Sequence, residues 1–304
     1  MAREQELKLT VAQADWAVIS AWLEKSGAEP LPMQVLCNTY FDTADGQLNR
    51  QRIALRVRQH GEEYVQTLKT KGTATRGLHD RHEWDWPLET RHLDIDVLEK
   101  SPIKSIVERQ PLQPVFSTDF NRNAWLWCEG DQAIEFALDR GEVRAGSARR
   151  AISEVELELK AGTTQALMEQ AEALSRICPV FLNPISKAEQ GYFIAGLYRP
   201  APAQRAGAEN PKDLKKDPEK DLDVWLAAMG HFALTGHGEY LQQAVAAAER
   251  LREGSRSGKS LSPEQWSLMY QAHSELSPGT PDEVIAQLLE KPIIGQCQLA
   301  LVSL

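Results

Sequence analysis

Ser153-Glu154-Val155-Glu156-Leu157-Glu158-Leu159-Lys160 alternates acidic and apolar residues. A strand points successive side chains to opposite faces, so Glu154, Glu156 and Glu158 share one face and Val155, Leu157 and Leu159 the other. Three carboxylates in file, with no lysine between them, repel one another and are a poor choice for a plain solvated surface. They make sense on an inward face where something cationic joins them.

Working outward, the first 200 residues hold eight segments with strand character, at 4–10, 34–43, 53–60, 64–71, 77–86, 114–128, 132–144 and 151–160. Ionisable residues fall on one face in most of them. The first aligns Glu4, Glu6 and Lys8, and the third aligns Arg56 and Arg58 with Leu55 and Val57 opposite. The fourth aligns Thr67, Lys69 and Lys71, the fifth Arg81, Glu83 and Asp85, and the seventh Glu135 and Asp139. For one strand the ordinary explanation is a solvated face of a half-exposed antiparallel sheet. For the set, with arginines and glutamates segregated by strand, a closed sheet with its charged face turned inward explains more. A barrel of about eight strands has room for one small ligand. Carboxylates crowded there need divalent cations, and all-oxygen ligands suit Mg²⁺ or Mn²⁺. Facing arginines and lysines would hold an anion, the former as bidentate forks. A metal-bound polyphosphate satisfies both sets. Glu83, Glu135 and Glu154 read as partners of neighbouring basic residues, since an unpaired charge inside would be costly. Trp125 and Trp127 read as core.

The fold class expected is therefore α+β, an eight-stranded antiparallel closed β tunnel with flanking helices, followed by a small all-α domain. Thr10 reads as the cap of a helix ending at Gly27, Thr163 as the cap of another, and a third helix spans 187–198. The stretch 93–109 reads as irregular with short helices. Residues 1–200 form the tunnel domain, 201–222 a linker rich in proline and charge, and 223–304 a helical domain. The net charge of −9 argues against a general nucleic-acid surface without excluding a local cationic site. No apolar run nears the roughly 20 residues that cross a bilayer, so no membrane partner is expected. The charged N-terminus does not read as a secretory signal. Cys37, Cys128, Cys178 and Cys297 show neither disulfide nor zinc spacing, and a cytoplasmic location follows as the expectation.

Several motifs resemble, in order, those of the CYTH superfamily, the triphosphate tunnel metalloenzymes. Glu4-x-Glu6-x-Lys8 is similar to its ExExK signature, Tyr40-Phe41-Asp42-Thr43 to its YFDT, and Leu55-Arg56-Val57-Arg58 to its LRxR. Leu68-Lys69, Arg81-x-Glu83, Arg122, Asp139 in Ala137-Leu138-Asp139-Arg140-Gly141, Glu154-x-Glu156-x-Glu158 and Ser186-Lys187 resemble the later elements. The run Gly77-Leu78-His79-x-Arg81 and the helical second half resemble the bacterial inorganic triphosphatases that join CYTH to CHAD, here with a shortened CHAD-like domain.

What the resemblance implies is metal-dependent hydrolysis of tripolyphosphate to pyrophosphate and phosphate. Lys8, Arg56, Arg58, Lys69, Arg81, Arg122 and Lys187 are the residues expected to bind the phosphates. Glu4, Glu6, Asp139, Glu156 and Glu158 are the candidate metal ligands, with Mg²⁺ the expected ion and Mn²⁺ the other suited one. Glu4, Glu6, Lys8 and Lys187 are the candidate catalytic set, Lys187 from a helix placed to close one mouth. The same residues leave open thiamine triphosphate, nucleoside triphosphates, cyclisation of ATP as in class IV adenylyl cyclases, and a non-catalytic polyphosphate-binding module.

Overall fold

The computed structural model describes residues 3–70, 73–75, 78–202, 217–254 and 261–303, with side chains not described at 3–4, 73–75 and 78–81. Eight long strands carry the architecture: β1 (Arg3–Thr10), β2 (Gln34–Asp42), β3 (Ala54–His60), β4 (Glu63–Lys69), β5 (Leu78–Leu88), β6 (Gln113–Glu129), β7 (Gln132–Ala145) and β8 (Ala148–Ala161). They pair antiparallel in the order β1-β8-β7-β6-β2-β3-β4-β5. β5 then pairs with β1, from Arg3 opposite His82 to Glu6 opposite His79, which returns the order to its start. Three short strands, Glu29–Pro30, Thr73–Thr75 and Phe181–Leu182, add to the wall, so the sheet counts eleven strands rather than the eight expected.

Period-two patterning decides what each face meets. The outward Leu7 and Leu9 of β1, Ile134 and Phe136 of β7, and Val155 and Leu157 of β8 are fully buried. They are covered by α1 (Trp16–Lys25), α4 (Thr164–Ser175) and helices of the second half. On the opposite side Leu55 and Leu68 pack under α2 (Gln47–Arg50) and α3 (Lys104–Val107), forming a second cluster. A third cluster lies where α5 (Lys187–Ile194) sets Tyr192 against Leu36, Tyr40 and Phe116. Gly191 allows that seat, because a Cβ there would overlap the Phe116 ring.

The second half contains α6 (Pro218–Thr235), α7 (Gly238–Gly254), α8 (Pro263–Ser274), α9 (Pro281–Leu289) and α10 (Pro292–Val302). Trp225 and Phe232 of α6 and Leu299 of α10 belong to the same apolar cluster as the β1–β8 wall, so sheet and helices share one core. Polar ties reinforce it: Gln298 of α10 bonds both the N–H and the C=O of Leu182, at 2.9 and 3.1 Å. No helix among the described residues is long and apolar enough to cross a membrane.

Two local expectations need correction. Thr10 ends β1 rather than capping a helix. Its hydroxyl instead receives Asn183 Nδ2, and α1 begins at Trp16 after a short 3-10 turn. α6 begins at Pro218, inside the stretch read as linker, because Asp217 caps it and proline suits the first turn. Most of that stretch, 203–216, lies outside the described residues. Thr163 does cap α4, accepting from the Ala166 N–H.

Candidate active site

The register of the paired strands collects the charged residues. Glu6, Lys8 and Thr10 of β1 stand opposite Glu158, Glu156 and Glu154 of β8. Glu154 and Glu158 stand in turn opposite Asp139 and Glu135 of β7, and Asp139 opposite Arg122 of β6. Carboxylate oxygens of Asp139, Glu154 and Glu156 come within 4.8 Å of one another. The Lys187 ammonium sits among them, 2.6 Å from Asp139 Oδ2, 3.0 Å from Glu156 Oε1 and in contact with Glu154. Arg122 forks onto Asp139 at 2.8 and 2.7 Å and reaches Glu156 at 2.5 Å. Lys8 lies 3.2 Å from Glu156 and 3.3 Å from Glu6.

Titration follows from this crowding. Burial alone would lower the pKa of Lys187, but Asp139, Glu154 and Glu156 outweigh it and raise it. Burial pushes Glu154 up despite Lys187 and Lys8. Glu156, although buried, is held well below the usual range by Lys187, Lys8 and Arg122. Lys187 is delivered at the first turn of α5 by a capping box, in which the Ser186 hydroxyl accepts from the Glu189 N–H and Glu189 returns the bond.

The facing wall is built from β2, β3 and β4. Lys69 pairs with Glu83 at 2.9 Å, and Arg56 stands 3.8 Å from the same carboxylate. Arg58 differs. Its Nε donates to the Asn38 amide oxygen at 2.8 Å, and among the described residues no carboxylate lies within ion-pair distance. Asn38 is itself fixed by donating to the Thr118 carbonyl at 2.9 Å. Burial, together with the neighbouring Arg56 and Arg122, lowers the Arg58 pKa to about 9. The Tyr40 phenol is shifted down beside Arg56, which overcomes its burial. Between the walls lies a cavity of about 250 Å³.

Of the residues picked from sequence, Glu6, Lys8, Arg56, Arg58, Lys69, Arg122, Glu156, Glu158 and Lys187 line this cavity. Asp139 is fully buried behind it and contacts Arg122 and Lys187. Glu4 and Arg81 face each other across the β1–β5 seam, and their side chains lie outside the described residues. Glu83, Glu135 and Glu154 do pair with basic neighbours, as read, yet Glu154, absent from the expected metal set, also joins Asp139 and Glu156 in the three-carboxylate group. Asn38 was missed, a neutral residue whose only signal is sharing the Tyr40 face. Asp42 is structural, accepting from the Leu48 and Asn49 N–H groups at the start of α2. The three carboxylates offer oxygen alone and already draw Lys187, Arg122 and Lys8 to them. Both facts fit a hard divalent cation.

A family model of the CYTH domain matches residues 2–192. The inorganic triphosphatase of Haemophilus influenzae is 36% identical over 196 residues, which are 64% of this chain and 55% of that protein. The chain thus spans about half the length of that curated relative. Among solved structures, a putative adenylyl cyclase from Hippeastrum, described as having a dominant triphosphatase activity, is 22% identical with a TM-score of 0.45, covering 65% of this chain and 98% of its own. The PH1012 protein of Pyrococcus horikoshii is 14% identical with a TM-score of 0.37, covering 57% and 88%.

Proposed function

Because this chain belongs to the CYTH domain family, we propose that its tunnel hydrolyses inorganic tripolyphosphate to pyrophosphate and phosphate. The observation that carries the reading is the pairing of two unlike walls across one cavity. One holds the half-buried Arg58 guanidinium, with no carboxylate in ion-pair distance among the described residues, and the other a knot of three carboxylates. A linear polyanion that brings a divalent cation supplies what each wall lacks. The name of the Haemophilus influenzae relative supports the choice of an inorganic substrate.

In this mechanism Arg56, Arg58, Lys69 and Arg122 align the phosphates and neutralise charge that grows on their oxygens, with Arg81 and Lys8 at the same task. Phosphoryl transfer depends mainly on such positioning and charge stabilisation. Glu156, Asp139 and Glu154, with Glu6 and Glu158 nearby and Glu4 as a further candidate, would hold Mg²⁺ or Mn²⁺. When bound there, an ion of this kind would supply charge stabilisation to the phosphates and a more acidic water. Lys187, released from the carboxylates, turns its ammonium to the terminal or leaving phosphate. The four cysteines are all free thiols, in keeping with a reducing, cytoplasmic compartment.

The test is phosphate release from tripolyphosphate, ATP, thiamine triphosphate and long-chain polyphosphate, each with Mg²⁺ and with EDTA. Tripolyphosphate should be turned over fastest and EDTA should abolish the reaction. ATP or thiamine triphosphate turned over as fast would sink the inorganic assignment, and full activity in EDTA would sink the metal.

A further inference from the structure

The position of Lys187 is set by segment 183–186, which is held from two sides. On the barrel side the Asn183 N–H donates to the Lys8 carbonyl at 2.9 Å, and Asn183 Nδ2 donates to the Thr10 hydroxyl at 3.1 Å. The Asn183 amide oxygen then accepts from the Ile185 N–H at 3.1 Å, turning the chain toward α5. On the other side lies α6 of the helical half. Gly230 is buried there against the segment, and a Cβ added to it would stand 2.8 Å from Pro184 Cγ, 3.0 Å from Pro184 Cδ and 3.1 Å from Ile185 Cγ1. The helix cannot yield easily, because its C-terminal end is pinned to β8. Arg150 donates to the Leu234 and Ala233 carbonyls, both at 2.8 Å, where a cation also suits the helix dipole.

We propose that α6 is a positioning element for Lys187, and that Gly230 sets the distance. The bare backbone of α6 at Gly230 lets Pro184 and Ile185 sit where Ser186 can cap α5 and aim Lys187 at Asp139, Glu154 and Glu156. The helical half then has a task in the tunnel's chemistry although none of its described residues lines the cavity. Adding one methyl group at residue 230 pushes the segment toward the barrel and displaces the first turn of α5, the base from which Lys187 reaches the carboxylates and, in turnover, the phosphate. This inference rests on the reading of the tunnel as a triphosphatase.

The experiment uses the full chain and a double-mutant cycle, Gly230→Ala with Lys187→Ala, read by steady-state kinetics on tripolyphosphate, thermal melting and amide hydrogen exchange. Gly230→Ala should lower kcat about tenfold with Lys187 present, since sub-ångström misplacement near a reacting group costs on that order. In the Lys187→Ala background it should change kcat less than about twofold, because the residue it misplaces is gone. Amides of residues 185–188 should exchange about tenfold faster. Equal losses in both backgrounds would overturn the proposal, as would an unchanged rate in a folded Gly230→Ala protein. If Gly230→Ala does not fold, Pro184→Ala removes the ring that rests on α6 without adding bulk and should show the same non-additivity. Hydrogen exchange separates this proposal from the one above. A wild-type protein inert toward tripolyphosphate ends the functional reading, whereas unchanged exchange ends the positioning claim whatever the activity.

Discussion

The two walls of the tunnel handle buried charge in opposite ways. On β1, β7 and β8 every described carboxylate facing inward has cationic company: Lys187 among Asp139, Glu154 and Glu156, Arg122 forked onto Asp139, and Lys160 between Glu135 and Glu158. On β2 and β3 the Arg58 guanidinium is steadied by a neutral amide. Desolvating a paired charge is costly, but leaving one unpaired costs more. The first wall is therefore settled without ligand, whereas on the second Arg56 and Lys69 share Glu83 and Arg58 has no carboxylate partner among the described residues. The difference teaches where selectivity enters. On the proposed reading the carboxylate wall would exchange partners to take a metal, while Arg58 would have only to gain one.

The comparison breaks most visibly at Glu156, which Lys8, Arg122 and Lys187 share. Glu156→Gln should cut turnover of tripolyphosphate by about 100-fold or more, the scale seen when a transition-state electrostatic group is lost. It should also destabilise the ligand-free protein, by about 3 kcal/mol, since buried cations lose a common counter-charge. Calorimetric melting together with initial rates checks both. A variant with normal turnover would remove the carboxylate wall from the mechanism.

Arg58→Gln should behave in the reverse sense. Losing a charge-assisted contact weakens tripolyphosphate binding about 10- to 100-fold. Yet the melting temperature should hold or rise, because the substitution removes a half-buried cation that has no carboxylate partner among the described residues. Titration calorimetry and a melt on the same sample suffice. A fall in stability as large as that of Glu156→Gln would show that the walls do not differ as described.

The barrel was legible in the sequence because its two faces differ in kind. Glu154, Glu156 and Glu158 against Val155, Leu157 and Leu159 leave little doubt about period or facing, and the same contrast recurs at Arg56 and Arg58. What stayed hidden depends on contacts between distant segments. Whether Thr10 ends a strand or caps a helix is decided by Asn183, far along the chain. That α6 and α10 share a core with β1 and β8 could not be read, since apolar faces of helices and of strands look alike until they are matched. Asn38 was silent for another reason: its importance lies in carrying no charge beside a residue that does.

That neutrality gives the finest test of the comparison. Arg58 carries its proton up to about pH 9, lowered from the usual arginine value by burial and by Arg56 and Arg122. Substrate binding needs the charged form, so kcat/KM should fall as pH rises through about 9, and the fall should vanish in Arg58→Gln. Asn38→Asp places a carboxylate where the amide oxygen now accepts from Arg58 Nε. The proton is then held to higher pH, so the alkaline limb should move upward. At neutral pH the guanidinium is already paired, and KM for tripolyphosphate should rise about tenfold, or roughly 1.4 kcal/mol. The bond from Asn38 Nδ2 to the Thr118 carbonyl is lost as well, so a melt must accompany the kinetics. If the limb stays near pH 9 while KM rises, the loss is one of geometry and the neutral partner has no electrostatic role. A limb that shifts together with KM assigns the effect to charge, and identifies the guanidinium held by a neutral amide as what distinguishes this wall from the other.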